Sequence, residues 1–258
     1  MQGRYRGPER ASQRDLWARV DVRGYGYGEV RPLATLIDRS TGLVALDVGA
    51  NKGFWSKAFL NELGDRVGMI HMFDPSPENV RELTVVEDNL IFAPEDFARL
   101  RVHATALGAA RGRATLYTNE DGSPLASLHP HAVSGFAEES WRLTHSFEVE
   151  VDTVDAFLER EDVAFVDAMK LDVEGHEMAV LLGAERALTD GRVGALSFEF
   201  GSHQIESRCF FKDFFVQLSD WGFDLFQKRH GALEPVPRYD YRYEDFTRDY
   251  VFMAKKRT

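Results

Sequence analysis

The chain has 258 residues and a formal net charge of −11, from 31 basic and 42 acidic side chains. This charge repels polyanions, so neither DNA nor RNA is expected as a partner. No apolar run is long enough to span a membrane, and the Arg-rich start lacks the apolar core of a signal peptide. The single cysteine is compatible with a reducing compartment, and we therefore expect a soluble, cytoplasmic protein.

The polar first segment, residues 1–40, is predicted to be an N-terminal arm or helical extension. Its Tyr25 or Tyr27 could cover an active site, although a flexible loop is favoured. From residue 41 to 258, apolar runs alternate with amphipathic segments, which predicts one α/β domain with a mostly parallel sheet. The predicted strands are 43–48, 67–73, 100–107, 165–171, 195–200 and 250–254, and the predicted helices are 54–63, 77–86, 178–188 and 210–221.

A long insertion, about residues 113–151, interrupts this alternation between the third and fourth strands. It contains two strand-like pieces, 114–117 and 147–151, and long insertions of this kind are often lids or binding loops. His129 and His131 lie between the two pieces, and a metal site would need more ligands than these two. For residues 231–250, which are rich in Tyr, Arg and Asp, a solvated loop is favoured over an aromatic substrate wall.

A glycine-containing turn from Asp47 to Phe54 follows the first strand and precedes a helix. Ligands bind at such turns because the helix N-terminus presents free N–H groups. Asp74 ends the following strand, where an acid can accept hydrogen bonds from the ribose hydroxyls of a nucleoside. An NAD(P)-dependent oxidoreductase is disfavoured because the third glycine of the dinucleotide motif and an evident Tyr-x-x-x-Lys pair are missing.

Three segments, in this order and at this spacing, resemble the FkbM family of S-adenosylmethionine-dependent methyltransferases. They are DVGANKGFWS (Asp47 to Ser56), DPSPENV (Asp74 to Val80) and KLDVEGHE (Lys170 to Glu177). The family usually has Glu at the position of Asp74. The resemblance implies a Rossmann-like class I methyltransferase fold, with a seven-stranded, mostly parallel sheet whose last strand is antiparallel. It also implies methylation of a hydroxyl on a sugar, a polyketide or another natural product.

The same resemblance implies where the cofactor, S-adenosylmethionine, would bind. The residues expected to line its methionine part are Asp47, Gly49, Ala50, Asn51 and Gly53, with Phe54 and Ser56 just beyond. Asp74 is expected to hold the ribose, with assistance from Ser76 or Asn79, and Ala106 and Leu107 to pack on the adenine.

Methyl transfer to a hydroxyl requires alignment of the two reactants and a group that takes the proton. Asp172 and Glu199 end neighbouring predicted strands, and we predict that they are the catalytic pair, with Glu174 and His203 beside them. Lys170 could pair with Asp172. For His176, a position at the start of a helix is favoured over a role as a base. For Glu177, stabilisation of the helix end and a functional role agree equally well with the sequence.

Several alternatives remain open from the sequence. The converging acids could instead hold Mg²⁺, as in some sugar O-methyltransferases of related fold, although no metal site is predicted. N-methylation and a non-catalytic scaffold that binds S-adenosylmethionine are further alternatives. The expected partner is a small-molecule acceptor with a hydroxyl group, and a homodimer is compatible with these features.

Overall fold

A computed structural model describes residues 27–86, 89, 91–130 and 143–257. The strands are β1 (Leu43–Val48), β2 (Val67–Phe73), β3 (Leu100–His103), β4 (Ala106–Leu107), β5 (Gly112–Thr118), β6 (His145–Asp152), β7 (Val166–Leu171), β8 (Val193–Phe200), β9 (Phe223–Arg229), β10 (Ala232–Pro235) and β11 (Tyr250–Lys256). The helices are α1 (Tyr27–Ala34), α2 (Phe54–Leu63), α3 (Pro77–Thr84), α4 (Val154–Arg160), α5 (Glu177–Leu182), α6 (Glu185–Thr189), α7 (Gln204–Ser207) and α8 (Phe211–Asp220).

Within the described residues, one large sheet has the strand order β10-β9-β11-β8-β7-β1-β2-β3. The strands from β8 to β3 in this order are parallel, and the last strand, β11, runs antiparallel to both β8 and β9. The predicted α/β class, with a mostly parallel sheet and an antiparallel last strand, is confirmed. The sheet has eight strands rather than seven because β10 adds an edge strand to β9.

Helices cover both faces of this sheet. On one face, α1, α2 and α3 contribute Val30, Phe59 and Leu83 to an apolar core, and on the other face α4 and α8 contribute Phe157 and Phe214 to a second core. Because Val30 is fully buried, the helical part of the N-terminal extension is anchored in the domain. Residues 1–26, with Tyr25, lie outside the described residues, as does the side chain of Tyr27.

Three predicted elements differ from the structure. The predicted strand 100–107 is divided between β3 in the large sheet and β4 in a smaller sheet, β4-β6-β5. The predicted helix 178–188 is divided into α5 and α6 at Gly183, which packs so closely on the Gly108 carbonyl oxygen that a Cβ there would stand 2.0 Å from it. The prediction of a solvated loop for residues 231–250 is wrong in its first part, which forms β10 and buries Val236.

The insertion contains the two predicted strand pieces, which pair with each other as the antiparallel strands β5 and β6. After β5 the chain crosses the carboxyl ends of the large sheet's strands as far as residue 130. Residues 131–142, which include His131, lie outside the described residues. None of the helices that the structure describes is long and apolar enough to traverse a lipid bilayer.

Candidate active site

The glycine turn is positioned by strand ends on both sides of β1. Gly49 has a φ of 80°, which a residue with a side chain rarely adopts, and a Cβ there would stand 1.8 Å from the Asp172 carbonyl oxygen. The backbone N–H groups of Gly49 and Ala50 both donate to the Phe73 carbonyl oxygen, at 3.0 Å. The turn is therefore pressed between the ends of β2 and β7, and only glycine fits at its first position.

A buried ion pair lies beneath this turn. The Asp47 carboxylate is fully buried, accepts a 2.7 Å hydrogen bond from Ser56 Oγ, and lies 3.2 Å from Lys170 Nζ. Lys170 Nζ also donates to the Gly49 carbonyl oxygen at 2.7 Å and lies 3.4 Å from Asp172 Oδ2. Burial by itself lowers the pKa of Lys170, but the neighbouring carboxylates of Asp47 and Asp172 outweigh it and hold the pKa above its ordinary value.

Asp74 forms the other side of the cleft beside the glycine turn. Its Oδ2 accepts from the Asn51 N–H at 2.8 Å, and its Oδ1 accepts from the Ser76 N–H at 2.9 Å and from Asn79 Nδ2 at 3.1 Å. A carboxylate has about four acceptor positions, so about one remains on Oδ2. Burial raises the pKa of Asp74 to about 6 against these hydrogen bonds.

A cavity opens between Asp74 and Asp172, with about 570 Å³ of empty space including its mouth. Among the predicted site residues it is lined by Gly49, Asn51, Asp74, Asn79, Ala106, Leu107, Asp172 and Glu174. The other predicted residues lie outside its lining: Asp47, Ala50, Gly53, Phe54, Ser56, Ser76, Glu199 and His203. Contact of this second group with a cofactor stays a prediction.

The predicted catalytic acids meet beside this cavity, where β7 and β8 end. His203 Nδ1 lies 2.7 Å from Glu174 Oε2, and its Nε2 lies 3.5 Å from Asp249 Oδ1. Burial lowers the pKa of His203, but Asp249 and Glu174 outweigh burial and raise it to about 11, so the ring is an imidazolium at neutral pH.

Glu199 lies next to this ion pair, but its carboxyl is neutral rather than charged near pH 7. Burial, together with the charges of Asp172 and Glu174, raises the pKa of Glu199 to about 9. A carboxyl with that pKa is protonated at neutral pH and cannot accept a proton there. The catalytic roles of Asp172 and Glu199 stay predictions, and the pKa of Glu199 favours a donor over a base at that position, while the Asp172 side chain is 43% exposed.

One group of the described residues has the spacing of a metal site. Ligand atoms of Glu174, Glu199 and His203 all lie within 4.8 Å of one another. One nitrogen and two carboxylate oxygens are ligands that divalent metals accept. In this structure the His203 ring already supplies a positive charge to Glu174, so the cluster has a counter-ion without a metal.

A buried network fixes the two loops that hold these acids. Glu177 Oε1 accepts from the Val173 N–H at 2.9 Å, and its Oε2 accepts from Gln204 Nε2 at 2.8 Å. Gln204 Nε2 also donates to the Glu199 carbonyl oxygen at 3.2 Å, and Gln204 Oε1 accepts from the Gly201 N–H at 2.7 Å. Glu177 is thus a positioning residue that joins the loop after β7 to the loop after β8.

Two acids near the site were missed from the sequence. Glu29 of α1 accepts a hydrogen bond from Ser197 Oγ, and burial raises its pKa to about 6 although Lys170 opposes this. Asp249 reaches His203 from the loop before β11. No local pattern marks either acid, since both meet the site only through long-range packing.

The imidazoles of His129 and His176 also approach each other, with His129 Nε2 3.1 Å from His176 Nδ1. Burial lowers the pKa of both rings, that of His176 to about 4, so both are neutral near pH 7. His129, for which the sequence offered too few neighbouring ligands for a metal site, contacts the loop that carries Glu174, and His176 lines the cavity directly before α5.

Comparison with known proteins finds one family whose model matches the chain and several solved structures that are similar to it. The model of the Methyltransferase FkbM domain matches residues 47–244. No curated protein shows a significant match to the chain. The structure of Methyltransferase FkbM from Methylobacillus flagellatus KT is similar, with a TM-score of 0.50 and 14% identity over 88% of this chain and 47% of that one. This similarity shows the fold, and the chain spans about half the length of the Methylobacillus protein.

Two further solved structures are more distant. Precorrin-6y C5,15-methyltransferase from Geobacter metallireducens GS-15 has a TM-score of 0.42 and 13% identity, over 88% of this chain and 87% of that one. Human N-acetylserotonin methyltransferase, in complex with SAM, has a TM-score of 0.39 and 13% identity, over 95% of this chain and 54% of that one.

Proposed function

The chain belongs to the FkbM methyltransferase family, and from this premise we propose that it transfers a methyl group from S-adenosylmethionine to a hydroxyl of a small molecule. One observation carries the proposal: a single cavity is lined by the glycine turn, by Asp74 on one side, and by the exposed carboxylate of Asp172 on the other. A nucleoside site and a proton acceptor therefore share one space, as a transfer to a hydroxyl requires.

The residues present fit a nucleoside cofactor. Gly49 leaves its backbone open to the cavity, and the remaining acceptor position of Asp74 suits a ribose hydroxyl. Asn79 lines the same cavity, and its Oδ1 is buried without a hydrogen-bond partner among the described residues. We propose Gly49 and Asn51 for the methionine part, Asp74 for the ribose, and Ala106 and Leu107 for the adenine.

Asp172 is the proposed general base. S-adenosylmethionine supplies a methyl group that its positively charged sulfonium already activates. Asp172 lines the cavity and takes the proton from the acceptor hydroxyl as the oxygen attacks, while the buried Lys170 ammonium stays 3.4 Å away as its counter-ion. A positioned base contributes about 10²- to 10⁴-fold in rate.

Glu199, which lies beside the cavity rather than in its lining, is proposed to bind the acceptor as a hydrogen-bond donor, with the charged ring of His203 next to it. The carboxyl of Glu199 is protonated near pH 7, so it can donate to an acceptor oxygen, whereas both N–H groups of the positively charged His203 ring already face Glu174 and Asp249. Glu174 and Asp249 hold His203 in this charged form. A donor at this place favours a hydroxyl-bearing molecule over a protonated amine, whose N–H groups would face it.

The test is transfer of a labelled methyl group from S-adenosylmethionine to matched acceptors, each hydroxyl compound paired with its amino analogue. We expect labelled ethers from hydroxyl acceptors, at least 100-fold less product from Asp172→Asn, and unchanged turnover from Asp190→Asn, an exposed aspartate elsewhere. Transfer to the amines alone would support N-methylation instead. Full activity of Asp172→Asn would remove the proposed base, and cofactor binding without transfer to any acceptor would support a scaffold.

A further inference from the structure

Residues 119–130 of the insertion, here named the strap, cross the cavity from one side to the other. Ser123, Pro124, Ala126 and Leu128 of the strap line the cavity, and most of the remaining lining comes from the strand ends of the large sheet and the loops that follow them. The base of the strap is held to β5 by two backbone hydrogen bonds between Tyr117 and Ser127, of 2.8 and 3.0 Å. A ligand in this cavity would lie between the sheet and the strap.

One end of the strap is bound to the side of the cavity that holds Asp74. Asp121 Oδ1 accepts a 2.6 Å hydrogen bond from Ser76 Oγ and a 3.4 Å bond from the N–H of Glu78 in the first turn of α3. Asn51 Nδ2 donates to the Gly122 carbonyl oxygen at 3.4 Å. The strap therefore contacts both the glycine turn and the start of α3.

Gly122 allows this close contact. Its φ is 78°, and a Cβ at this position would stand 3.1 Å from both Asn79 Oδ1 and Lys52 Nζ. A larger residue would be strained by its backbone and would push these two side chains away. A side chain at residue 122 would therefore disturb the fit of this end of the strap against the cavity wall.

The other end of the strap is bound to the loop that carries Glu174. Ser127 Oγ donates to the Glu174 carbonyl oxygen at 2.7 Å, and the His129 ring lies against His176, with ring nitrogens 3.1 Å apart. Both contacts are made by side chains of the strap. Each is an uncharged hydrogen bond of the kind that contributes little net stability, so the strap can separate from the Glu174 loop at low cost while the backbone of Ser127 stays bonded to β5.

We propose that the strap is a gate for the cofactor: it closes over the bound nucleoside and must detach at Ser127 and His129 for exchange. The inference rests on the proposed function, since it takes the cavity to be the S-adenosylmethionine site. A bound nucleoside covers Ala126 and Leu128, which are partly buried and face the cavity. In the closed state, the strap is then held by its contacts with the ligand and by the hydrogen bonds at its two ends.

The test is the dissociation rate of S-adenosylhomocysteine, measured by stopped-flow displacement. Loss of one hydrogen bond of the closed state predicts a rate about fivefold higher in Ser127→Ala than in the wild type. Ser146→Ala, an exposed serine on β6 of the same small sheet, is the matched control and is expected to release the ligand at the wild-type rate. Gly122→Ala, which disturbs the opposite end, is expected to accelerate release as well.

Hydrogen exchange provides a measurement that does not depend on a variant. Addition of S-adenosylhomocysteine to the wild-type protein is expected to slow exchange of the amides of residues 123–128. Wild-type release rates in both Ser127→Ala and Gly122→Ala, or protection of residues 49–53 without protection of the strap, would overturn the gate while leaving the proposed function intact. Absence of any binding to the wild type would overturn both.

Discussion

Lys170 and Asp47 form an ion pair between neighbouring strands, with Nζ 3.2 Å from Oδ1 and both side chains buried. The same ammonium donates to the Gly49 carbonyl oxygen and approaches Asp172. One cation thus connects the glycine turn to the proposed base. Asp47, expected from its motif to line the cofactor site, supports the turn from beneath, and its contact with a cofactor stays a prediction.

Removal of this cation should destabilise the domain. Lys170→Met leaves Asp47 buried without its counter-ion, and breaking a buried pair costs about 3–5 kcal/mol in free energy of unfolding. Denaturant unfolding measures the loss. The double variant Asp47→Asn/Lys170→Met is the control and should recover part of that stability because no charge is left unpaired. A loss below about 1 kcal/mol in Lys170→Met would contradict the role of the pair.

Binding of S-adenosylhomocysteine should weaken in acid. The pKa of Asp74 is raised from its ordinary value of 3.8 to about 6, and only the ionised carboxylate offers its full acceptor capacity to a ribose hydroxyl. Affinity should therefore be constant above about pH 7 and fall as the pH drops through 6. Calorimetry over this range, with Asp74→Asn beside the wild type, measures it. A wild-type affinity that does not change down to about pH 5 would show that Asp74 does not bind the nucleoside.

Stability should decrease in alkali through His203. Its pKa in the folded protein is about 11, against an ordinary value of 6.5, so its stabilising charge is fully present below pH 6.5 and is lost as the pH rises towards 11. Glu174, Asp249, Glu199 and Asp172 are the charged or titratable groups around it. The free energy of unfolding of the wild type should fall more between about pH 7 and pH 10 than that of His203→Gln. Equal slopes would contradict the imidazolium assignment.

Chelation should leave methyl transfer unchanged. Glu174, Glu199 and His203 have metal-like spacing, but the His203 imidazolium already provides a counter-ion. Turnover before and after EDTA treatment, followed by addition of Mg²⁺ or Mn²⁺, tests this. Loss of activity with EDTA and recovery with one of the two ions would assign the cluster to a metal and would change the role of Glu199 from donor to ligand.

The features that could be predicted from the sequence depend on residues that are close together along the chain. The glycine turn, Asp74 after β2 and Asp172 after β7 each follow an apolar strand, and parallel strands bring such ends to one edge of the sheet. Glu29 and Asp249 could not be predicted because their contacts, with Ser197 and His203, depend on where α1 and β11 pack. The protonation of Glu199 was also missed, since burial and the charges of its neighbours determine it.

The most direct test of the proposed function is calorimetric titration of the wild type with S-adenosylhomocysteine, beside Asp74→Ala and Asp65→Ala. Asp65 is an exposed aspartate in the short turn before β2 and serves as the matched control. We expect binding by the wild type and Asp65→Ala, and an affinity at least about tenfold weaker in Asp74→Ala, because a hydrogen bond to a charged group is lost. No binding by the wild type, or equal binding by Asp74→Ala, would contradict the assignment of this cavity to S-adenosylmethionine.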